Sequence, residues 1–394
     1  MKIFAHFSAS FMIIFVGLSM SLSAQTFEQY QPSIDTLLNS TNLGYDKAIS
    51  ITLPRELVPG SDHIYPLIII FDQQNQRSFN FLLRTIDYLT SNEQMPASVI
   101  AGIASTMDKR YQETQWPISD SAGFADKTEA FIFEELIPML KSTCQVGDFL
   151  LLTGHSRYGF FTSTLLAKYP ETIDAVISLS PFFQQSNMNV LDSINLAFSG
   201  TNVNHKVYYR FGMGRDFPKD YEAVQQLLAN HNFPMLDAKG EIFPQADHNV
   251  TPGLIVGSAL YDIFSYWSKI QNRYIADPEL LSGNLEELMD SIVMQYGTKI
   301  PISLGILNGK GWALYGIMKY DQAIEAWEVL LHNYPEFSEA YLYIAMARKE
   351  LNMEFATYVD KFRQQLKRSK FYTEEEKKQL LQEYEADIDM LFKE

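Results

Sequence analysis

Between residue 45 and about residue 270, short apolar runs alternate with stretches in which apolar residues recur every three or four positions. The runs at 48–53, 66–71, 99–103, 149–153, 175–180 and 207–211 predict strands. The stretch 128–141, with Ile132, Leu136 and Leu140 on one stripe, predicts a helix between two of them, and 160–169 and 221–230 predict two more. Leu67-Ile68-Ile69-Ile70 and Phe149-Leu150-Leu151-Leu152 are apolar at every position, as strands are when both faces of a parallel sheet are covered. The alternation predicts an α/β domain with a mainly parallel sheet and helices on both faces.

From Asp277 the strand pattern stops and helical periodicity occupies the rest of the chain. Between Leu307 and Pro335, Gly311 is placed to let two helices approach, and Tyr320 opens the second of them. Ala323 is small at the crossing, Trp327 and Leu330 follow on the same face, and Pro335 ends the helix. This arrangement resembles a tetratricopeptide repeat, with a weaker second copy from Ala340 and Tyr341 that decays after Leu351. So few repeats bury little by themselves, so the helices are expected to pack on the preceding domain and to offer a protein or peptide contact.

The 394 residues suffice for two domains, and 46% hydrophobic with 20% charged residues is a globular composition. A net charge of -16 excludes a non-specific nucleic-acid binder, which needs a dense basic surface. Lys2, the apolar run Phe11 to Val16 and the small residues Ser21 to Ala24 read as a secretory signal, so residues 1–24 are expected to be removed and the protein to be periplasmic or secreted. That apolar run is too short to span a bilayer, and no other span is expected in the mature chain. Cys144 is the one cysteine, without an intrachain partner, and is expected to be a buried structural thiol. The seven histidines are scattered with no ligand spacing, so no metal site is expected.

The chemistry concentrates at Gly154-His155-Ser156-Arg157-Tyr158-Gly159, which lies between a predicted strand and a predicted helix. A serine at such a junction projects above the sheet, and the following helix N-terminus favours negative charge beside it. The usual pattern has glycine two residues after the serine; here Tyr158 holds that place and Gly159 follows. Downstream, His205 immediately precedes a strand and His231 ends a helix, whereas His248 sits in a loop after the strand-like 241–243 and is the candidate base. Asp216, in the loop after 207–211, is the first candidate for the acid, with Asp220 and Glu222 as competitors.

Together these residues resemble the Putative esterase family, the esterase D and enterochelin esterase group of α/β-hydrolases, over about residues 40–270. Tyr65 to Asp72 looks like its strand ending in Asp-Gly, Met95 to Ile103 like its next strand, and Glu134-Glu135-Leu136-Ile137-Pro138 like the helix before the nucleophile strand. His248 followed by Pro252, Leu260 and Phe264 is similar to its base loop and final helix. The resemblance implies an α/β-hydrolase domain over 25–275 and, after it, a small all-α repeat domain over 297–394. It implies a small-molecule carboxylic ester cleaved by Ser156, Asp216 and His248 through an acyl-enzyme, with no cofactor. The oxyanion hole would come from the backbone N–H groups of Arg157 and Gln73, although Gln73 stands where the family has glycine. Tyr158 and His155 are expected to wall the substrate site. The alternative is a hydrolase scaffold used for binding, suggested by Tyr158, Gln73 and the helical repeats. Siderophore, carbohydrate-linked acyl and short-chain esters all stay open.

Overall fold

The computed structural model describes residues 27–117, 123–185, 188–200 and 203–393, and the expected signal sequence at 1–24 lies outside them. The strands are β1 (Ile34–Ser40), β2 (Tyr45–Thr52), β3 (Tyr65–Phe71), β4 (Val99–Ile103), β5 (Val146–His155), β6 (Ala175–Leu179), β7 (Gln184–Gln185), β8 (Met188–Asn189), β9 (Val207–Met213) and β10 (Leu236–Ile242). Eight of them form one sheet in the order β1-β2-β4-β3-β5-β6-β9-β10, and β7 pairs with β8 as a short ribbon. β1 and β2 run antiparallel to their neighbours, and the rest of the sheet is parallel. This is the α/β-hydrolase fold, followed by a helical region.

The six predicted strands are present, and most run longer than their apolar runs because ladder pairing continues past them, as into Asp46 and Lys47 of β2 and His155 of β5. The edge strands were harder to read. β1 is largely exposed and carries Asp35, Thr36, Asn39 and Ser40, so only its pairing with β2 makes it a strand. β10 contains Lys239, Gly240 and Glu241, and follows β9 residue for residue. The predicted helix at 128–141 is one continuous rod that passes from Ala125–Ala130 through a π turn, Phe131–Leu136, into Ile137–Thr143.

Side-chain alternation divides the core. Leu67, Ile69 and Phe71 of β3 face one layer with Phe131, Ile132, Phe161, Leu165 and Ile194 from the covering helices. Ile68 and Ile70 face the other layer, where helices Gln76–Ser91 and Thr251–Ala276 lie. Gly212 of β9 permits that approach, since a Cβ there would sit 2.1 Å from Ile255 Cδ1. The second layer continues without a break into the helical region: Trp267, Tyr296, Ile306, Trp327 and Ile344 belong to the same buried cluster as Ile68 and Phe149. Trp267 Nε1 donates to Pro301 O at 2.9 Å, and Lys310 Nζ donates to Tyr274 O at 2.9 Å. Leu304–Gly316 and Tyr320–Asn333 form a tight helix pair, and a Cβ on Gly311 would lie 2.2 Å from Trp327 Nε1. Beyond Leu351, where the repeat pattern fades, helices Ala356–Arg368 and Glu374–Leu391 enclose a small core of their own around Phe362. Among the described residues, no helix is long and apolar enough to cross a membrane.

Candidate active site

β5 ends at His155, and the helix Arg157–Lys168 begins one residue beyond Ser156. Ser156 makes this turn with φ 60° and ψ -114°, a backbone state that costs a non-glycine residue about 1–3 kcal/mol. Its N–H donates to Leu179 O of β6 at 2.8 Å, which fixes the serine at the carboxyl edge of the sheet. The two glycines differ in necessity. A Cβ on Gly154 would meet Tyr158 O at 2.5 Å, whereas one on Gly159 would meet Pro181 Cα at 3.2 Å. The crowded position of this elbow is therefore Gly154.

The expectation that Tyr158 walls the substrate site is corrected by the structure. Its side chain is fully buried beneath the elbow, stacked on Phe71 with ring centroids 4.7 Å apart, and its hydroxyl donates to Glu113 Oε2 at 2.6 Å. Glu113 also accepts from Lys47 Nζ at 2.6 Å and Tyr45 OH at 2.5 Å. Burial works against the Glu113 carboxylate, but Lys47 and the two tyrosine hydroxyls outweigh it and hold its pKa below the ordinary glutamate value. Tyr158 is thus a bolt between the helix Arg157–Lys168 and a buried ion pair. The signal that could have revealed this was the polar end of Glu113 in an otherwise amphipathic stretch, and it identifies no partner by itself.

Gln73 is also corrected. Its N–H donates to Ile103 O of β4 at 3.1 Å, so in this conformation it is not free to bind an oxyanion. The preceding Asp72, at φ 63°, turns its carboxylate to Arg110, which grips it with Nε and one Nη at 2.7 and 2.6 Å. The same Arg110 Nη2 donates to His155 O at 3.0 Å, tying the loop after β3 to the elbow. Arg110 escaped the sequence reading because a surface helix supplies it.

His248 opens a short 3-10 turn before the helix Thr251–Ala276. Its Nδ1 is hydrogen-bonded to Asp216 Oδ2, whereas Asp220 accepts from Phe183 N at 2.9 Å and Glu222 is exposed. Burial raises the Asp216 pKa, but the His248 bond and a Ser180 contact outweigh it and bring the carboxyl below its usual value. The His248 carbonyl accepts from Thr251 Oγ1 at 3.0 Å and from His155 Nε2 at 2.9 Å, and the two imidazoles lie with centroids 4.5 Å apart. His155 therefore holds the His248 loop against the elbow. Burial, with His248 adding to it, pushes its pKa down to about 4, so it is neutral at pH 7. No hydrogen bond joins Ser156 Oγ to His248 among the described residues. A small cavity of about 20 Å³ beside the elbow is lined by residues that include Asp72, Ser78, Phe79, Thr153, His155 and Pro252. His205 pairs with the buried Asp174 at 3.1 Å, and His231 caps a helix, so neither approaches the serine. Cys144 is buried and free, as expected. Among the described residues, no three His, Cys, Asp or Glu side chains converge as ligands of a metal would.

Residues 40–242, more than half of the chain, match the Putative esterase family. The chain belongs to that family. It is a carboxylic ester hydrolase of the α/β-hydrolase type, acting on a small molecule. Its structure is similar to that of an IroE-like serine hydrolase from Shewanella oneidensis, with a TM-score of 0.63 and 16% identity over 76% of this chain and 99% of that one. It is also similar to an uncharacterised protein from Capnocytophaga ochracea, with a TM-score of 0.55 and 14% identity over 90% of this chain and 99% of that one. At these identities the likeness concerns the fold, and in the second case it reaches well into the helical region. No curated protein matches the chain.

Proposed function

We propose that this esterase works through Ser156, His248 and Asp216 by way of an acyl-enzyme. The observation that carries the reading is the Asp216–His248 hydrogen bond, made by Nδ1, beside a serine held in a strained turn. With its proton on Nδ1, the neutral imidazole leaves Nε2 as the base. His248 takes the Ser156 proton as Oγ attacks the ester carbonyl, and Asp216 stabilises the imidazolium that forms. The tetrahedral oxyanion accepts from the Arg157 N–H at the first turn of its helix. His248 then protonates the departing alcohol. In the second half it deprotonates water, which attacks the acyl group and releases the acid and the free serine. Substrate seating closes the Ser156–His248 contact, as catalytic contacts often tighten only in the complex.

We further propose that the chain is exported after loss of residues 1–24, and that 297–394 is a tetratricopeptide-like region built on the hydrolase domain of 25–275. The Gly311–Trp327 crossing supports the repeat reading. The site calls for no metal or organic cofactor. An organophosphonate probe tests the reading directly: the adduct is expected on Ser156 by mass spectrometry, and labelling at another residue, or none, would overturn it.

A further inference from the structure

Three arginines stand around the elbow and the base loop, and two of them have counter-charges. Arg110 is paired with Asp72, and Arg215 with Asp247. Arg157, the residue after the serine, is different. Its Nε donates to Thr114 Oγ1 at 3.1 Å, its guanidinium carbon lies 3.9 Å from the centre of the Tyr111 ring and 6.0 Å from that of Phe182, and its Nη2 is buried with no hydrogen-bond partner among the described residues. No carboxylate pairs with it among the described residues. A shortage of acids is not the reason, for the chain has 47 Asp and Glu against 31 Lys and Arg.

A guanidinium does not give up its proton in a protein, so the charge persists although burial opposes it. A buried N–H without a partner is costly, and a site that retains one is shaped for an acceptor that arrives from outside. The guanidinium fork fits a carboxylate in particular, through two parallel charge-assisted bonds. The position suits a substrate group. The backbone N–H of the same residue is the proposed oxyanion donor, and an aromatic rim leads from the guanidinium to the base: Phe182 lies 6.0 Å from Phe217, and Phe217 lies 5.8 Å from the His248 ring.

We infer that Arg157 anchors a carboxylate carried by the substrate, so that the ester cleaved is an anionic one, such as the half-ester of a dicarboxylic acid. The inference rests on the reading of Ser156 as nucleophile, and the experiment separates the two. Mono-4-nitrophenyl glutarate and 4-nitrophenyl valerate differ only by a carboxylate in place of a methyl on the acyl chain; 4-acetoxybenzoate and 4-tolyl acetate differ in the same way on the leaving group. In one pair or the other, the wild-type enzyme should favour the anionic ester by about tenfold or more in kcat/KM, mainly through KM. The ratio within that pair should fall to near one in Arg157→Gln and be partly kept in Arg157→Lys, whatever the substitutions do to turnover of the neutral ester. Equal or lower activity on both anionic esters, or a preference that survives Arg157→Gln, would overturn the inference. Calorimetric titration of the Ser156→Ala protein with the same half-ester reads the anion site without turnover. Binding there that disappears in Ser156→Ala/Arg157→Gln, with a wild type that hydrolyses no ester, would sink the nucleophile and leave the anion site standing.

Discussion

The two faces of the sheet solve different problems. On the elbow face, polar groups are buried deliberately: Lys47, Glu113, Tyr45 and Tyr158 form one network, and Ser163, Ser178 and Tyr209 another, with hydroxyl contacts of 2.8 and 2.9 Å. On the opposite face a nearly unbroken apolar cluster runs from Ile68 through Trp267 to Ala347. Hydrophobic contact is non-directional and secures attachment, whereas hydrogen bonds fix orientation. The face that must hold a strained serine in place uses the second, and the face that mounts the helical region uses the first.

The comparison breaks most sharply at Ser156, the proposed nucleophile. Ser156→Ala should lower kcat/KM by about three or more orders of magnitude, measured on 4-nitrophenyl esters, while circular dichroism shows an intact fold. Loss of folding instead would mean that the serine is structural. On the opposite face the effects should be reversed. Trp267→Ala removes a fully buried ring from the joint between sheet and helices and should cost about 3–5 kcal/mol in urea unfolding. The folded fraction should keep the wild-type kcat/KM. A Trp267→Ala enzyme that is as stable as wild type but inactive would refute the division of labour.

Protonation offers a finer cut, because each region holds one depressed histidine. His155 belongs to the elbow, and His63 lies 4.9 Å from Tyr334 of the helical region, centroid to centroid. Burial takes both pKa values from 6.5 to about 4. Between those values the unfolded chain binds more protons than the native one, so stability is full above pH 6.5 and is lost as pH falls toward 4. Each contributes at most about 3 kcal/mol before solvent screening. His155→Gln and His63→Gln should each flatten the decline of Tm between pH 6.5 and 4, and an unchanged slope in both would refute this account. The smallest effect is expected at Tyr158→Phe. Removing one hydroxyl from Glu113 should cost about 1–3 kcal/mol and lower kcat more than it raises KM, since the elbow is positioned from below. A change confined to KM would restore Tyr158 to the substrate wall.

Much of the molecule was legible in the chain. The strand, the sharp turn and the helix around Ser156 are set by neighbours in sequence, and so are the loops that carry Asp216 and His248 after apolar runs. Their order follows from strand succession in a parallel sheet. The edge strands were not legible, because their polar residues take their state from pairing with β2 and β9. Arg110 and His155 were not legible as supports, since each acts on backbone carbonyls supplied by another segment.

The sequence by itself determined the α/β alternation, the elbow, the candidate triad and the close helix crossing at Gly311, because each depends on periodicity or on residues a few positions apart. Only the tertiary structure decided which way Tyr158 turns, for its partner Glu113 is 45 residues away in the chain. It alone occupied the Gln73 N–H with a carbonyl of β4, left Arg157 without a counter-charge among the described residues, and merged the helical region with one face of the sheet. The physical reason is common to all four: hydrogen bonds, ion pairs and burial are satisfied in space, by groups that the chain brings together only when it folds.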